Sequence, residues 1–256
     1  MNKKQKVLQI LDEFDKVYPE AVCSLEYETP LQLLISTQLA AQCTDARVNI
    51  VAKDLYKKYK SVSDFANAGI NELERDVKST GFYRNKAKNI IACCKILMEK
   101  YGGDIPNKLE ELVELPGVGR KTANVFLNEI YGIPGIVVDT HAKRLSQRIG
   151  LTKNEDPEKI EYDLQKIVPK DRWADFCHQL VFHGREVCNA RSPKCEECTI
   201  NGLCNYFKTA DKKQNKKVDK KNPSTDMGKS KDKKNAEVKK SKDKKNAEVK
   251  KIKDEK

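Results

Sequence analysis

Apolar residues recur along this chain at helical spacing, and nowhere do they alternate as strands require. Val7, Leu8, Ile10, Leu11, Phe14 and Val17 predict a first helix ending near Pro19. Pro30 opens PLQLLISTQLAAQ, apolar enough for a buried helix, and Asp45 opens another with Val48, Val51, Leu55 and Tyr59 on one face. Shorter helices are expected over 62–67 and 71–79, the second closed by Gly81, and a longer one over 85–101, ended by Gly102-Gly103. The period returns over 157–168 and 172–187. With the central stretch below, this makes about eleven helices. Ile136-Val137-Val138 is too short to found a sheet, so the expected fold class is all-α.

The central stretch, 109–148, carries the densest chemistry. Leu109, Leu112, Val113 and Leu115 give a helix an apolar face, and Pro116 stops it. Gly117 and Gly119 bracket Val118 in a tight turn that permits positive φ and close backbone approach. The next helix begins at about Arg120 and turns Ala123, Val125, Phe126, Leu127 and Ile130 toward a core. Lys121 therefore sits in its first turn, where partially charged N–H groups disfavour an ammonium. Arg120 beside it and partial burial should also lower its pKa, raising the fraction of neutral, nucleophilic amine. The same hairpin offers backbone N–H groups to a phosphate. Asp139, 18 residues on, heads a helix containing Ala142, Leu145 and Ile149, which favours its charged form. Singly, PGVG is a turn, Asp139 an N-cap and Lys121 a solvated side chain. Their combination is what becomes specific.

Nine cysteines are present, four of them within 17 residues: Cys188, Cys195, Cys198 and Cys204, spaced Cys-x6-Cys-x2-Cys-x5-Cys. An odd total with this clustering argues for metal ligation in a reducing compartment rather than for disulfides. Four thiolates suit zinc or an iron–sulfur cluster, and generic chemistry leaves both open. Cys23, Cys43, Cys93, Cys94 and Cys177 stand in apolar helical contexts and read as buried thiols. His141, His178 and His183 have no partner at ligand spacing and read as ordinary structural histidines.

Length and charge add limits. A chain of 256 residues holds one or two domains with a core large enough to need no staples. The net charge of +12 is unevenly placed: residues 208–256 hold 20 Lys and 9 Asp plus Glu, net +11, leaving 30 basic against 29 acidic groups, net +1, in the first 207 residues. Nucleic-acid affinity of the globular part must then come from a local patch. KSKDKKNAEVK occurs twice in succession, at 229–239 and 240–250, with too few apolar residues to bury a face. That tail is expected to be disordered, either adding non-specific DNA association through counterion release or serving only as a solvated extension. No apolar run of about 18 residues and no signal-peptide pattern occurs, so the expected location is the cytosol.

LPGVGRKT with Asp139 resembles the helix-hairpin-helix motif and Gly/Pro-rich loop with aspartate that define a superfamily of base-excision DNA glycosylases. The cysteine spacing resembles that of the endonuclease III family and its adenine-glycosylase relatives, and the likeness spans about residues 1–207. It implies one 4Fe-4S cluster on Cys188, Cys195, Cys198 and Cys204, structural in role, on a loop whose Arg191 and Lys194 face phosphates while Glu196 and Glu197 add acid. STQLAAQCTD resembles the segment whose glutamine, here Gln42, fills the hole left by an extruded base. The alternative is a polar cap on a buried helix end. GFYRNKAKNI resembles the loop that wedges an apolar residue, usually leucine, into the opposite strand. Phe82 stands there instead, its alternative being a core residue.

The resemblance further implies a six-helix domain at 23–133 and a cluster domain formed by 1–22 plus 134–207, with the tail at 208–256. The cleft between the two domains would bring Lys121 and Asp139 together, with Gly117, Val118, Gly119 and Arg120 on the DNA. The partner would be double-stranded DNA with a damaged base or abasic site, bound by a monomer and with no membrane involved. The activity implied is that of a bifunctional glycosylase and abasic-site lyase removing oxidised pyrimidines through a Schiff base. Two alternatives stand beside it. An adenine-mismatch glycosylase shares motif and cluster, but its family lacks this lysine and adds a C-terminal domain. A non-catalytic helix-hairpin-helix binding module would carry structural zinc.

Overall fold

The computed structural model describes residues 1–209, and the lysine-rich repeats at 229–250 lie outside them. Eleven α-helices follow one another among the described residues, and no strand forms there. They are α1 (Lys3–Val17), α2 (Pro30–Leu39), α3 (Asp45–Lys58), α4 (Val62–Ala66), α5 (Ile70–Asp76), α6 (Tyr83–Tyr101), α7 (Leu109–Leu112), α8 (Arg120–Tyr131), α9 (Thr140–Ile149), α10 (Pro157–Gln165) and α11 (Trp173–Glu186). Most starts have a chemical cause. Asn2, Thr29, Thr44, Ser61, Asp139 and Asp156 each accept a backbone N–H of the first turn, satisfying a donor that has no partner within the helix.

Several boundaries differ from the sequence expectation. α2 ends at Leu39 rather than running through Gln42. The segment expected at 71–79 breaks into α5 and a single 3-10 turn, Lys78–Thr80. α10 stops at Gln165, short of Val168. α7 is one turn long, so Val113 falls on its C-cap and stays 41% exposed instead of sharing the apolar face.

The helices build two hydrophobic cores. The first joins Leu33, Leu34 and Leu39 of α2, Leu55 of α3, Phe65 of α4, Ile90 and Leu97 of α6, and Phe126 and Leu127 of α8. The second joins Val7, Ile10, Leu11 and Phe14 of α1 to Leu145 and Ile149 of α9, Leu164 of α10 and Phe176 and Leu180 of α11. α1 meets the far end of the chain through its lysines as well. Lys3 and Lys6 donate to the carbonyls of Leu151 and Ile149 at 2.7 and 2.9 Å, placing cations where α9 ends and its dipole is negative.

Two ion pairs and one histidine–carboxylate contact tie helices of one core to helices of the other. Arg120 of α8 grips Glu161 of α10 with two bonds of 2.7 and 2.8 Å. Asp45 of α3 accepts from Arg185 of α11 at 2.7 Å, and Glu129 of α8 pairs with His178 of α11 at 2.9 Å. These contacts bridge the two cores.

Candidate active site and DNA interface

Lys121 is the second residue of α8, and Asp139 is the N-cap of α9. Both line one open cleft of about 970 Å³, together with Gln42, Cys23, Asp45, Glu129, His141, Cys177, His178 and Arg185. The structure thus brings the amine and the carboxylate to one groove. Asp139 also does what a lone N-cap does, its Oδ1 accepting from the Ala142 N–H at 2.7 Å. Capping through one oxygen fixes the carboxylate at the helix start and leaves the second oxygen outside the cap.

The surroundings of Lys121 differ from expectation in two respects. Lys121 is exposed to the cleft rather than partly buried. Arg120 is no free cation beside it: its guanidinium is held bidentate by Glu161, a carboxylate only 5% exposed. Arg120 therefore braces α8 against α10 and has little charge left for a phosphate.

The hairpin divides its work unevenly. Val118 turns its side chain into the first core, 4% exposed, so only its backbone can reach a ligand. Gly117 has φ +80°, and a Cβ there would stand 2.7 Å from Gln38 Oε1 and 2.9 Å from Asn89 Cβ. Gly119, by contrast, has φ −89°, open to any residue, and a Cβ there would meet nothing within 4 Å. Its glycine identity has no cause inside the fold. Gly117→Ala should destabilise the protein by about 2–4 kcal/mol in chemical denaturation, from strained φ plus the clash. Gly119→Ala should stay within about 0.5 kcal/mol of the parent yet weaken duplex DNA binding roughly tenfold.

Gln42 and Phe82 share a backbone oddity. They are the only non-glycine residues with positive φ among the described residues, at 54° and 46°. Each such conformation costs about 1–2 kcal/mol, and the surrounding structure must enforce it. Both side chains are exposed, Phe82 by 63%, so neither the buried-cap nor the core alternative describes them. Lys86 supplies the enforcement. Its buried ammonium donates to Leu39 O, where α2 ends before Gln42, and to Thr80 O, just before Phe82, both at 2.8 Å. One cation thus stitches the two loops together, and burial holds its pKa below the ordinary lysine value.

At the far end of the second core, Cys188, Cys195, Cys198 and Cys204 line a single pocket with Arg148 and His183. Among the described residues, no three Cys, His, Asp or Glu side chains converge at the spacing of one metal ion. The sulfurs are served by donors. Arg148 Nη1 donates to Cys188 Sγ at 3.3 Å, and His183 Nε2 lies 3.4 Å from Cys198 Sγ. Burial pushes His183 down to about 4 and, as the largest cause, Tyr18 up to about 12; the imidazole lies between the Tyr18 hydroxyl, 3.0 Å from Nδ1, and the Cys198 sulfur, 3.4 Å from Nε2. Arg191 and Lys194 are exposed on this loop, as are Glu196 and Glu197.

The remaining thiols and imidazoles sort themselves by burial. Cys93, Cys94 and Cys177 are buried as expected, whereas Cys23 and Cys43 are half-buried in loops, and Cys23, Cys43 and Cys177 all border the cleft. His141 Nδ1 accepts from Arg144 at 3.2 Å, and desolvation depresses its pKa despite the opposing charge of Asp139. His178 faces the cleft through its pair with Glu129, a contact the sequence reading did not foresee.

Residues 35–170 match the family described as HhH-GPD superfamily base excision DNA repair protein. The chain is 50% identical over 204 residues to the endonuclease III of Synechocystis sp., an alignment covering 79% of this chain and 93% of that protein. A solved non-covalent endonuclease III–DNA complex superposes with a TM-score of 0.79 at 44% identity, covering 83% of this chain and all of the other. A trapped endonuclease III–DNA covalent intermediate, an estranged-adenine complex, superposes equally well at 44% identity, covering 82% and 99%. By its helical fold, its hairpin and these similarities, the chain belongs to the HhH-GPD superfamily of base excision DNA repair proteins and, within it, to the endonuclease III family.

Proposed function

We propose that this protein is a bifunctional DNA glycosylase and abasic-site lyase that removes oxidised pyrimidines. The observation that carries the reading is the shared cleft of Lys121 and Asp139, one group at each of two helix starts facing the same groove. A damaged base within the stack is out of reach, so the nucleotide must be turned out of the duplex into that groove. Gln42 and Phe82 are suited to occupy the space it vacates, because both side chains are exposed on loops tied together by Lys86. The Gly117–Gly119 turn supplies backbone N–H groups for a phosphate.

In the reaction, the Lys121 amine attacks the sugar C1′, the glycosidic bond breaks, and the base leaves with its electron pair and takes up a proton. Opening of the sugar gives an imine between C1′ and Nζ. The imine acidifies the C2′–H; removal of that proton expels the 3′ phosphate by β-elimination. Asp139 stabilises positive charge building on the sugar and assists the proton transfers. Such chemistry draws on one amine and one carboxylate, so a duplex with a single abasic site should be nicked in the presence of EDTA. Borohydride should trap the protein on that duplex. Cutting that stops with EDTA, or a failure to trap, would overturn the reading.

The four cysteines fit a 4Fe-4S cluster. The four thiols line one pocket, and four thiolates are the donor set such a cluster takes. The cluster would hold the 188–204 loop in shape. Cys188, Cys195, Cys198 and Cys204 would be its ligands, with Arg148 and His183 offsetting sulfur charge. Purified protein should carry about four iron and four sulfide per chain and no stoichiometric zinc. The two cores support a division into a helical part at 23–133 and a cluster part at 1–22 plus 134–207; the first holds α2 to α8, seven helices rather than the expected six, because the single turn of α7 stands as a helix of its own. Arg191 and Lys194 would then add phosphate contacts beside the cluster. Among the described residues no helix is long and apolar enough to cross a membrane.

A further inference from the structure

Glu129 and His178 belong to the cleft but take no part in the chemistry above. Glu129 lies eight residues after Lys121 on α8, about 12 Å further along the axis, and both residues line the cleft. Cys23 and Asp45 line the same cleft as Glu129 and Lys121. A base whose sugar sits at Lys121 would extend along α8 toward Glu129.

The pair is built to present an acceptor. Tyr27 donates its hydroxyl to Glu129 Oε2 at 3.1 Å from behind, and His178 Nε2 lies 2.9 Å from Oε1. An ionised carboxylate only accepts, so His178 Nε2 carries the proton in that contact. The His178 bond is the largest cause holding Glu129 below the ordinary carboxylate range, against the cost of its burial. Tyr27 stays protonated, pushed up to about 12 chiefly by burial. Two of the roughly four lone-pair positions on the carboxylate are used, leaving acceptor capacity toward the groove.

We propose that Glu129, fixed by His178 and Tyr27, is the specificity-determining acceptor for an N–H on the pairing edge of the extruded base. The ligand class is a pyrimidine with an imide N3–H, as in thymine glycol. This rests on the glycosylase reading and adds to it what the pocket selects. A half-buried anion that finds no donor costs more than a neutral mismatch, so a base lacking that N–H is rejected.

The test uses the full-length protein on three duplexes carrying thymine glycol, N3-methyl thymine glycol, or a ready-made abasic site. The wild type should excise the N3–H lesion about tenfold or more faster than the methylated one. In Glu129→Gln the methyl penalty should shrink to about twofold while abasic-site cleavage stays within about twofold of wild type. Tyr27→Phe, which removes one donor from behind the carboxylate, should shrink the penalty in the same direction and guards against a poorly folded Glu129 variant. An absent penalty in the wild type, or one that persists undiminished in Glu129→Gln because the methyl merely clashes, would overturn the proposal. So would an equal fall in abasic cleavage, which would make Glu129 a structural residue. A wild type inert on the abasic duplex would instead overturn the repair reading itself, and this inference with it.

Discussion

Lys121→Ala should eliminate the borohydride-trapped complex on abasic DNA and lower strand cleavage by on the order of a thousandfold or more. No other amine is positioned by the same helix start, since Arg120 is clasped by Glu161 and a guanidinium does not form the imine. The side chain is exposed and supports no packing, so the melting temperature should stay within about 2 °C of the parent. Binding to an abasic duplex should persist, because the loops carrying Gln42 and Phe82 and the Gly117–Gly119 turn are untouched. Retention of the trapped complex by the alanine variant would assign the nucleophile elsewhere.

Asp139→Asn should separate two roles that one carboxylate holds. Asparagine caps a helix about as well as aspartate, so α9 should keep its start and the protein its stability. Loss of the negative charge should nevertheless reduce base excision by about 10²–10⁴-fold, the range for a group that stabilises charge and moves protons in the transition state. Duplex binding measured in parallel should change little. If binding collapsed with the rate, the capping bond to Ala142 would be its whole contribution.

Much of this architecture was legible in the order of residues because its causes are local. The α1 stripe, the Pro30 and Asp45 starts, the beginning of α8 at Arg120 and the Asp139 cap each depend on neighbours within a turn or two. The four cysteines were legible for the same reason. What escaped depends on pairing at long range. The partner of Arg120 stands 41 residues away and that of Glu129 stands 49 away, and neither spacing carries a signal. Lys86 reads as an ordinary helix lysine beside Lys88, and only packing shows that it is buried between two carbonyls. Gly117 and Gly119 look equivalent on paper, yet one is demanded by backbone angle and crowding and the other by nothing inside the protein. One cue was present for Glu129: Lys121, Val125 and Glu129 step by four along α8 and so share a side of it.

The ammonium of Lys86, anchored on Leu39 and Thr80, ties the loops of Gln42 and Phe82 into a calliper with a fastened jaw. With the insertion proposed for Gln42 and Phe82, a gap set before any duplex arrives would leave the yielding to the double helix. A gauge of this kind would sort DNA by how readily it unstacks, testing for weakness first and leaving chemical identity to be judged later, deeper in the groove.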